Sequence, residues 1–280
     1  MVKTLYVSDL DGTLITNLAV LSDFSQQTLQ QLLREGLLFT VASARSVVSM
    51  QPILDGLSLP LPIVEFNGAF ITDLATGHHE IINSIEPSIV KDLYPLIRQF
   101  NCVPFVSTFN GIEDCLYYKD IINGGMSWYI ENRKSSQDRR LRSITHLTDS
   151  FRDQVVCLTI IDQAAVLTEL ELAIKATYGD RVETHLYENQ YSPGWHWLTV
   201  HDQRATKAQA VQTLRKYYGL NDHELVVFGD HNNDIKLFQI ANRAIAVQNA
   251  TPELKGYATH LIDSNEEDSV VKYIHQDSQH

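Results

Sequence analysis

Two carboxylates one residue apart, Asp9 and Asp11, end the apolar run Leu5-Tyr6-Val7-Ser8 and are followed at once by Gly12 and Thr13. Carboxylates this close repel one another, so either one of them takes up a proton or a cation lies between them. A divalent metal supplies the missing charge, and Mg²⁺ suits a site that also receives phosphate oxygens, because it binds few carboxylates and keeps several waters. Gly12 permits the tight bend that turns the main-chain amides of Gly12 and Thr13 toward an anion. By itself, Asp-x-Asp-Gly is also an ordinary solvated turn. The choice between the two readings rests on which other polar residues the chain places at strand ends.

Three more such positions follow. Ser43 closes the apolar stretch 37–42, Lys207 opens a helix-like stretch, and Gly229-Asp230-His231-Asn232-Asn233-Asp234 closes the stretch 225–228. Against a phosphate ester, Asp9 is the natural nucleophile, since an aspartyl-phosphate splits one hard displacement into two easier ones. Asp11 would then protonate the leaving oxygen and afterwards deprotonate the attacking water. Ser43 and Lys207 can hydrogen-bond and neutralise the transferring phosphoryl oxygens. Asp230 can complete a metal's ligand set with Asp9 and the backbone carbonyl of Asp11, while Asn233 and Asp234 orient phosphate, water or Lys207. Taken singly, Ser43 reads as a cap, Lys207 as a solvated helix lysine, and the Asp230–Asp234 stretch as a turn and helix cap. Taken together they converge, because a doubly wound sheet brings the carboxyl ends of its strands to one crevice.

The elements that must position these residues fall into two grammars. Residues 1–84 alternate buried strands (5–7, 37–42, 63–66) with helices (22–35, 47–57), each strand ending in a polar tip; this is α/β with a parallel sheet. Residues 85–192 change to helices at 88–100, 126–134 and 164–178 and strands at 102–108, 115–119, 155–161 and 182–188. That pattern reads as an inserted α+β domain with an antiparallel sheet. The first grammar returns over residues 193–280, with strands at 197–200, 225–228, 244–247 and 260–262 and helices at 208–218, 235–241, 252–257 and 266–275.

Composition narrows the function classes. The 280 residues are 44% hydrophobic, enough for a large core and a second smaller unit. A formal net charge of −12 argues against a general binder of nucleic acid or anionic membrane. The local basic stretch 133–142 reads as a solvated helix end or loop. No apolar run has the length of a membrane span and the N-terminus has no signal-peptide layout, which predicts a cytoplasmic protein. Cys102, Cys115 and Cys157 are widely spaced and odd in number, so they read as small core residues rather than disulfide or zinc ligands.

With these motifs in order, the chain resembles the haloacid dehalogenase superfamily phosphatases of the Cof type. Asp9-Leu10-Asp11-Gly12-Thr13, Ser43, Lys207 and the Gly229–Asp234 stretch match the family's four motifs, and Asn67-Gly68-Ala69 matches a stretch typical of the Cof branch. The resemblance implies a Rossmann-like core with an inserted α+β cap, and Mg²⁺-dependent hydrolysis of a small phosphorylated metabolite, often a sugar phosphate. It carries over Asp9 as nucleophile, Asp11 as acid/base, Asp230 as metal ligand, and Arg45, Asn67 and Asp234 as supporting residues. Ser43-Ala44-Arg45 stands where many relatives have Thr-Gly-Arg, and His231 stands where a small residue is common; neither change removes a chemical role. Specificity is expected in the cap, with Tyr117, Tyr118, Lys119, Asn123, Trp128, Trp195 and His196 as candidates, although aromatic residues there also serve as core. Two rivals stay open: a sugar phosphomutase sharing the aspartyl-phosphate step, and a non-catalytic protein that binds phosphorylated ligands. Oligomeric state is not legible in these residues.

Overall fold

The computed structural model describes residues 3–279; Met1, Val2 and His280 lie outside it. The chain divides into two compact units, residues 1–82 with 205–280 and residues 83–204.

In the first unit, five strands form a parallel sheet in the spatial order His260–Ile262, Arg243–Val247, Glu224–Gly229, Thr4–Ser8, Leu38–Val41. The central strands are apolar on both faces, as a sheet covered by helices on both sides requires; Leu5, Val7, Leu225, Val226, Val227 and Phe228 are fully buried. Helices Asp23–Arg34, Lys207–Tyr217 and Ser269–Asp277 belong to this unit, and the first two start from side-chain caps. Ser22 accepts from the Ser25 amide and Thr206 from the Gln209 amide, each satisfying a donor that helix geometry leaves free.

Two local expectations differ in this unit. The helix expected over 47–57 is confined to Val47–Met50, because Pro52 lacks the amide that a continuing helix needs. The strand expected at 63–66 does not extend the parallel sheet; Ile63–Glu65 touches it through one parallel bridge, Ala42 to Val64, and otherwise pairs antiparallel with Phe70–Thr72. Phe70–Thr72 in turn pairs with His79–Ile82, which makes a small separate sheet.

The second unit is α+β. Six strands lie in the order Val182–Glu188, His196–Asp202, Gln154–Asp162, Phe105–Phe109, Asp114–Tyr118, Leu141–Ser143, antiparallel except for the last pair. Helices Pro87–Gln99, Gly124–Ser135 and Ala164–Tyr178 complete it. The strand at 196–202, expected to reopen the first unit, is bonded on both sides within this sheet, so the chain passes back only after Arg204. Residues 197–202 are buried on both faces of the strand, as in the parallel core, so its own burial pattern does not tell the two sheets apart and only its strand partners do. The basic stretch is not uniformly solvated: Arg140 is buried against Asp138, with 2.6 and 2.9 Å bonds. All three cysteines are buried and free.

Candidate active site

Asp9 follows strand Thr4–Ser8 and Asp230 follows strand Glu224–Gly229. These strands are neighbours, paired in register with Ser8 opposite Phe228, and the Asp9 amide donates to the Phe228 carbonyl at 3.0 Å. Two carboxylates 221 positions apart in the sequence are therefore placed side by side by the sheet alone. The crevice beyond the carboxyl ends of adjacent strands, where the strand order reverses, is the usual ligand position in such sheets.

Lys207 is the first residue of its helix, and its side chain is fully buried. Its ammonium lies 2.8 Å from Asp9 Oδ2 and 2.7 Å from Asp234 Oδ1. The other oxygen of Asp234 accepts from the backbone amides of Asp230 and His231 at 3.3 and 3.4 Å. Asp234 thus orients Lys207 and ties the loop after the strand. Oxygens of Asp9, Asp230 and Asp234 all lie within 4.8 Å of one another.

Electrostatics follow from burial. Burial raises the Asp9 carboxyl well above the usual range; Lys207 pulls it down, and Asp234 and Asp230 push it further up. Burial, with the Asp234 charge next, lifts Asp230 to about 7. Burial depresses Lys207, but Asp234 and Asp9 outweigh it and hold the ammonium above its ordinary value. Three carboxyls face one ammonium here; with all three ionised the excess is two negative charges, that of one divalent cation. A hard cation with oxygen ligands fits this donor set, which contains no sulfur or imidazole.

Around this centre the motif loop Leu10–Leu14 is tightly held. Gly12 has φ 68°, and a Cβ there would come within 2.9 Å of Asp230 Cγ, so only glycine lets the loop approach Asp230. Thr13 Oγ1 donates to Asp230 Oδ1 at 3.0 Å. Asp11 turns to Arg45, whose Nε and Nη2 donate to its two oxygens at 2.6 Å each. Ser43 is buried; its hydroxyl accepts the Arg45 amide at 3.2 Å and its carbonyl the Asn67 amide at 2.9 Å. Asn233 Nδ2 donates to Asn67 Oδ1 at 3.0 Å. His231 is exposed and caps the short turn Asn232–Asp234.

Two residues went unread in the sequence. Asn249 Nδ2 donates to the Gly12 carbonyl at 2.7 Å, and buried Asn265 donates from Nδ2 to the Ile15 carbonyl at 2.9 Å and from its amide to Asn249 Oδ1 at 3.2 Å. Both stand just after strands, the same signal that singled out Asp9 and Asp230. In the second unit, several specificity candidates have structural partners. Asn123 caps helix Gly124–Ser135, Tyr117 donates to Asp153 at 3.0 Å, and Trp128 packs edge-on against Trp197.

A parallel sheet whose strand ends bring Asp9 and Asp230 together beside a buried lysine, in an oxygen cluster fit for a cation, places the site in an α/β fold. The chain belongs to the haloacid dehalogenase-like hydrolase family, whose model matches residues 6–274. It is 22% identical over 271 residues to 5-amino-6-(5-phospho-D-ribitylamino)uracil phosphatase YitU of Bacillus subtilis, covering 95% of this chain and 94% of that protein. It is 24% identical over 285 residues to the B. subtilis phosphatase of the same name designated YwtE, covering 96% of each. The crystal structure of a haloacid dehalogenase-like hydrolase from Bacteroides thetaiotaomicron superposes with a TM-score of 0.78 at 20% identity, covering 98% of this chain and 99% of that one. The protein is a phosphatase of this family, with the α/β core and inserted cap that define its fold. Among the described residues no helix is long and apolar enough to cross a membrane.

Proposed function

We propose that the protein is a Mg²⁺-dependent phosphomonoester hydrolase acting on a small phosphorylated metabolite of the sugar-phosphate type, through an aspartyl-phosphate on Asp9. The observation that carries this reading is the buried Lys207 ammonium shared between Asp9 and Asp234, with Asp230 alongside. The 5-phospho-D-ribityl group in the name of the B. subtilis relatives is a primary phosphate on a sugar alcohol, which supports the substrate class.

Asp9 Oδ2 is held by Lys207 and Oδ1 by the Leu10 amide at 2.7 Å, so the carboxylate is oriented before substrate arrives. Attack by Asp9 on phosphorus forms the acyl-phosphate bond and breaks the ester P–O bond, and the leaving oxygen takes its proton from Asp11. Asp11 then removes a proton from water, which attacks the same phosphorus, releases inorganic phosphate and restores the Asp9 carboxylate. Arg45 donates to both Asp11 oxygens, and its guanidinium can also reach phosphoryl oxygens, which would free Asp11 for proton transfer. Lys207, Ser43 and the amides of Gly12 and Thr13 neutralise the transferring group, and Asn233 and Asn67 hold the facing loop. Asp9, Asp230 and the Asp11 carbonyl would hold Mg²⁺, which when bound offsets the charge that builds on the phosphoryl oxygens. A cytoplasmic location and a small phosphorylated metabolite as the substrate, without nucleic acid or membrane partner, complete the proposal.

The test is phosphate release from a panel of phosphorylated metabolites, with Mg²⁺ and with chelator, for the native chain and Asp9→Asn. Release with Mg²⁺ that vanishes in both controls is the expected result. Isomerisation of sugar monophosphates without release, or binding without turnover by the folded protein, refutes it.

A further inference from the structure

A buried carboxylate that no step above uses lies in the first unit. Glu65, the last residue of Ile63–Glu65, is fully buried. Such a group is strongly unfavourable unless donors meet it. Here the Val47 amide donates to Oε2 at 2.5 Å and the Thr72 hydroxyl donates to Oε1. His79 Nδ1 lies 3.3 Å from Oε1 and 2.7 Å from Thr72 Oγ1. A hydroxyl has one proton to give; Thr72 gives it to Glu65 and accepts from His79 Nδ1–H. The His79 ring is itself clamped face to face on Phe70, with centroids 3.9 Å apart and planes 5° apart. An apolar side chain would fill the same volume without any of these demands, but it would not accept from Val47.

What the carboxylate holds is the approach to Asp11. Val47 lies two residues beyond Arg45, the Phe66 amide donates to the Arg45 carbonyl at 3.0 Å, and the Asn67 amide donates to the Ser43 carbonyl. Phe66 and Asn67, which directly follow Glu65, have φ of 48° and 56°. Side-chain-bearing residues persist in that left-handed region only where the surroundings over-determine them.

We propose that Glu65 is a positioning residue: braced by Thr72 and His79, it fixes the Val47 amide and so sets residues 43–45 where the Arg45 guanidinium meets Asp11. This rests on the reading in which Asp11 and Arg45 serve phosphoryl transfer.

The test is steady-state hydrolysis of p-nitrophenyl phosphate with Mg²⁺ by Glu65→Ala and Glu65→Gln, alone and combined with Arg45→Ala, normalised to the folded fraction by circular dichroism. Glu65→Ala is expected to lower kcat about 10- to 100-fold with KM within about threefold, the size of effect when a supporting group lets a reacting one shift. Glu65→Gln, which still accepts from Val47, recovers most of that loss. In the Arg45→Ala background Glu65→Ala should cost less than about twofold, because residues acting through one another are not additive. Full additivity, or an unchanged kcat per folded molecule, overturns the proposal. If Glu65→Ala does not fold, Thr72→Val enters the same cycle, with a fall of about threefold or more expected and additivity again overturning it. The Arg45 Nε–H resonance in proton–nitrogen spectra reads the placement without turnover: it should move in the folded one of these two variants and hold in Glu65→Gln, and an unmoved resonance overturns the proposal. A native chain lacking metal-dependent hydrolysis refutes the functional reading instead, and this resonance still judges Glu65.

Discussion

Without a divalent cation, the unit that carries the site should lose stability as the pH rises, and Asp230 sets by how much. Burial, aided by the Asp234 charge, lifts its carboxyl from 3.8 to about 7. Between those values the native state keeps a proton that the unfolded chain has released. The stabilisation is therefore complete below the unfolded pKa and is lost as the pH climbs through the folded one. At 1.36 kcal/mol per unit the whole effect is on the order of 4 kcal/mol, of which about 3 kcal/mol falls between pH 5 and pH 8. Asp9, raised by the same burial, adds in the same direction. For a unit of this size that corresponds to roughly 6–12 °C in melting temperature.

Thermal melts in chelator at pH 5 and pH 8, followed by far-ultraviolet circular dichroism, measure it as the difference between the native chain and Asp230→Asn. Taking that difference cancels titrations that do not depend on Asp230, while Asp9, which the Asp230 charge helps to raise, contributes to it with the same sign. His201 is one of those that cancel, since burial holds it down to about 4 and its contribution grows with pH instead. Mg²⁺ should restore the native chain more at pH 8 than at pH 5. A gap between native and variant that stays flat across the window, or a Mg²⁺ effect equal at both ends, refutes the reasoning.

Lys207→Met leaves Asp9 and Asp234 facing each other without their shared ammonium. It should cost about 3–5 kcal/mol at pH 7, read from urea unfolding, and a loss below about 1 kcal/mol would contradict the buried geometry. Gly12→Ala forces a Cβ toward Asp230 at a φ that disfavours alanine; the Mg²⁺ concentration needed for half-maximal thermal stabilisation should rise at least about tenfold. In the second unit, a Cβ on Gly125 would come within 2.7 Å of the Trp195 ring and 2.8 Å of Ile161. Gly125→Ala should destabilise that unit by about 1–3 kcal/mol. Tryptophan fluorescence reports it selectively, since Trp128, Trp195 and Trp197 are the three tryptophans of the chain and all lie there.

The residues that carry these predictions were legible to different degrees. Asp9, Ser43 and Asp230 stand out in sequence because an apolar stretch cut off by a polar residue marks the end of a buried strand. Lys207 stands out less, as one lysine at one helix start among many. Asn249 and Asn265 carry the strand-end signal too, but asparagine after a strand is so common in turns that it draws no notice. The short helix at Val47–Met50 is explained by Pro52, whereas the sheet to which strand His196–Asp202 belongs is not legible, because its own residues do not say which strands will flank it.

The sequence by itself determined the alternation of buried strands and helices, the interruption by a second pattern, and the polar side chains that stand at strand ends and helix starts. Those properties are local, set by side-chain volume, polarity and backbone freedom over a few residues. Only the tertiary structure decided that Lys207 bridges Asp9 and Asp234, that Arg45 occupies Asp11, and that Glu65 is buried behind them. Distance between residues far apart in the chain, and the loss of water that shifts Asp9 and Asp230, exist only once the sheet has formed.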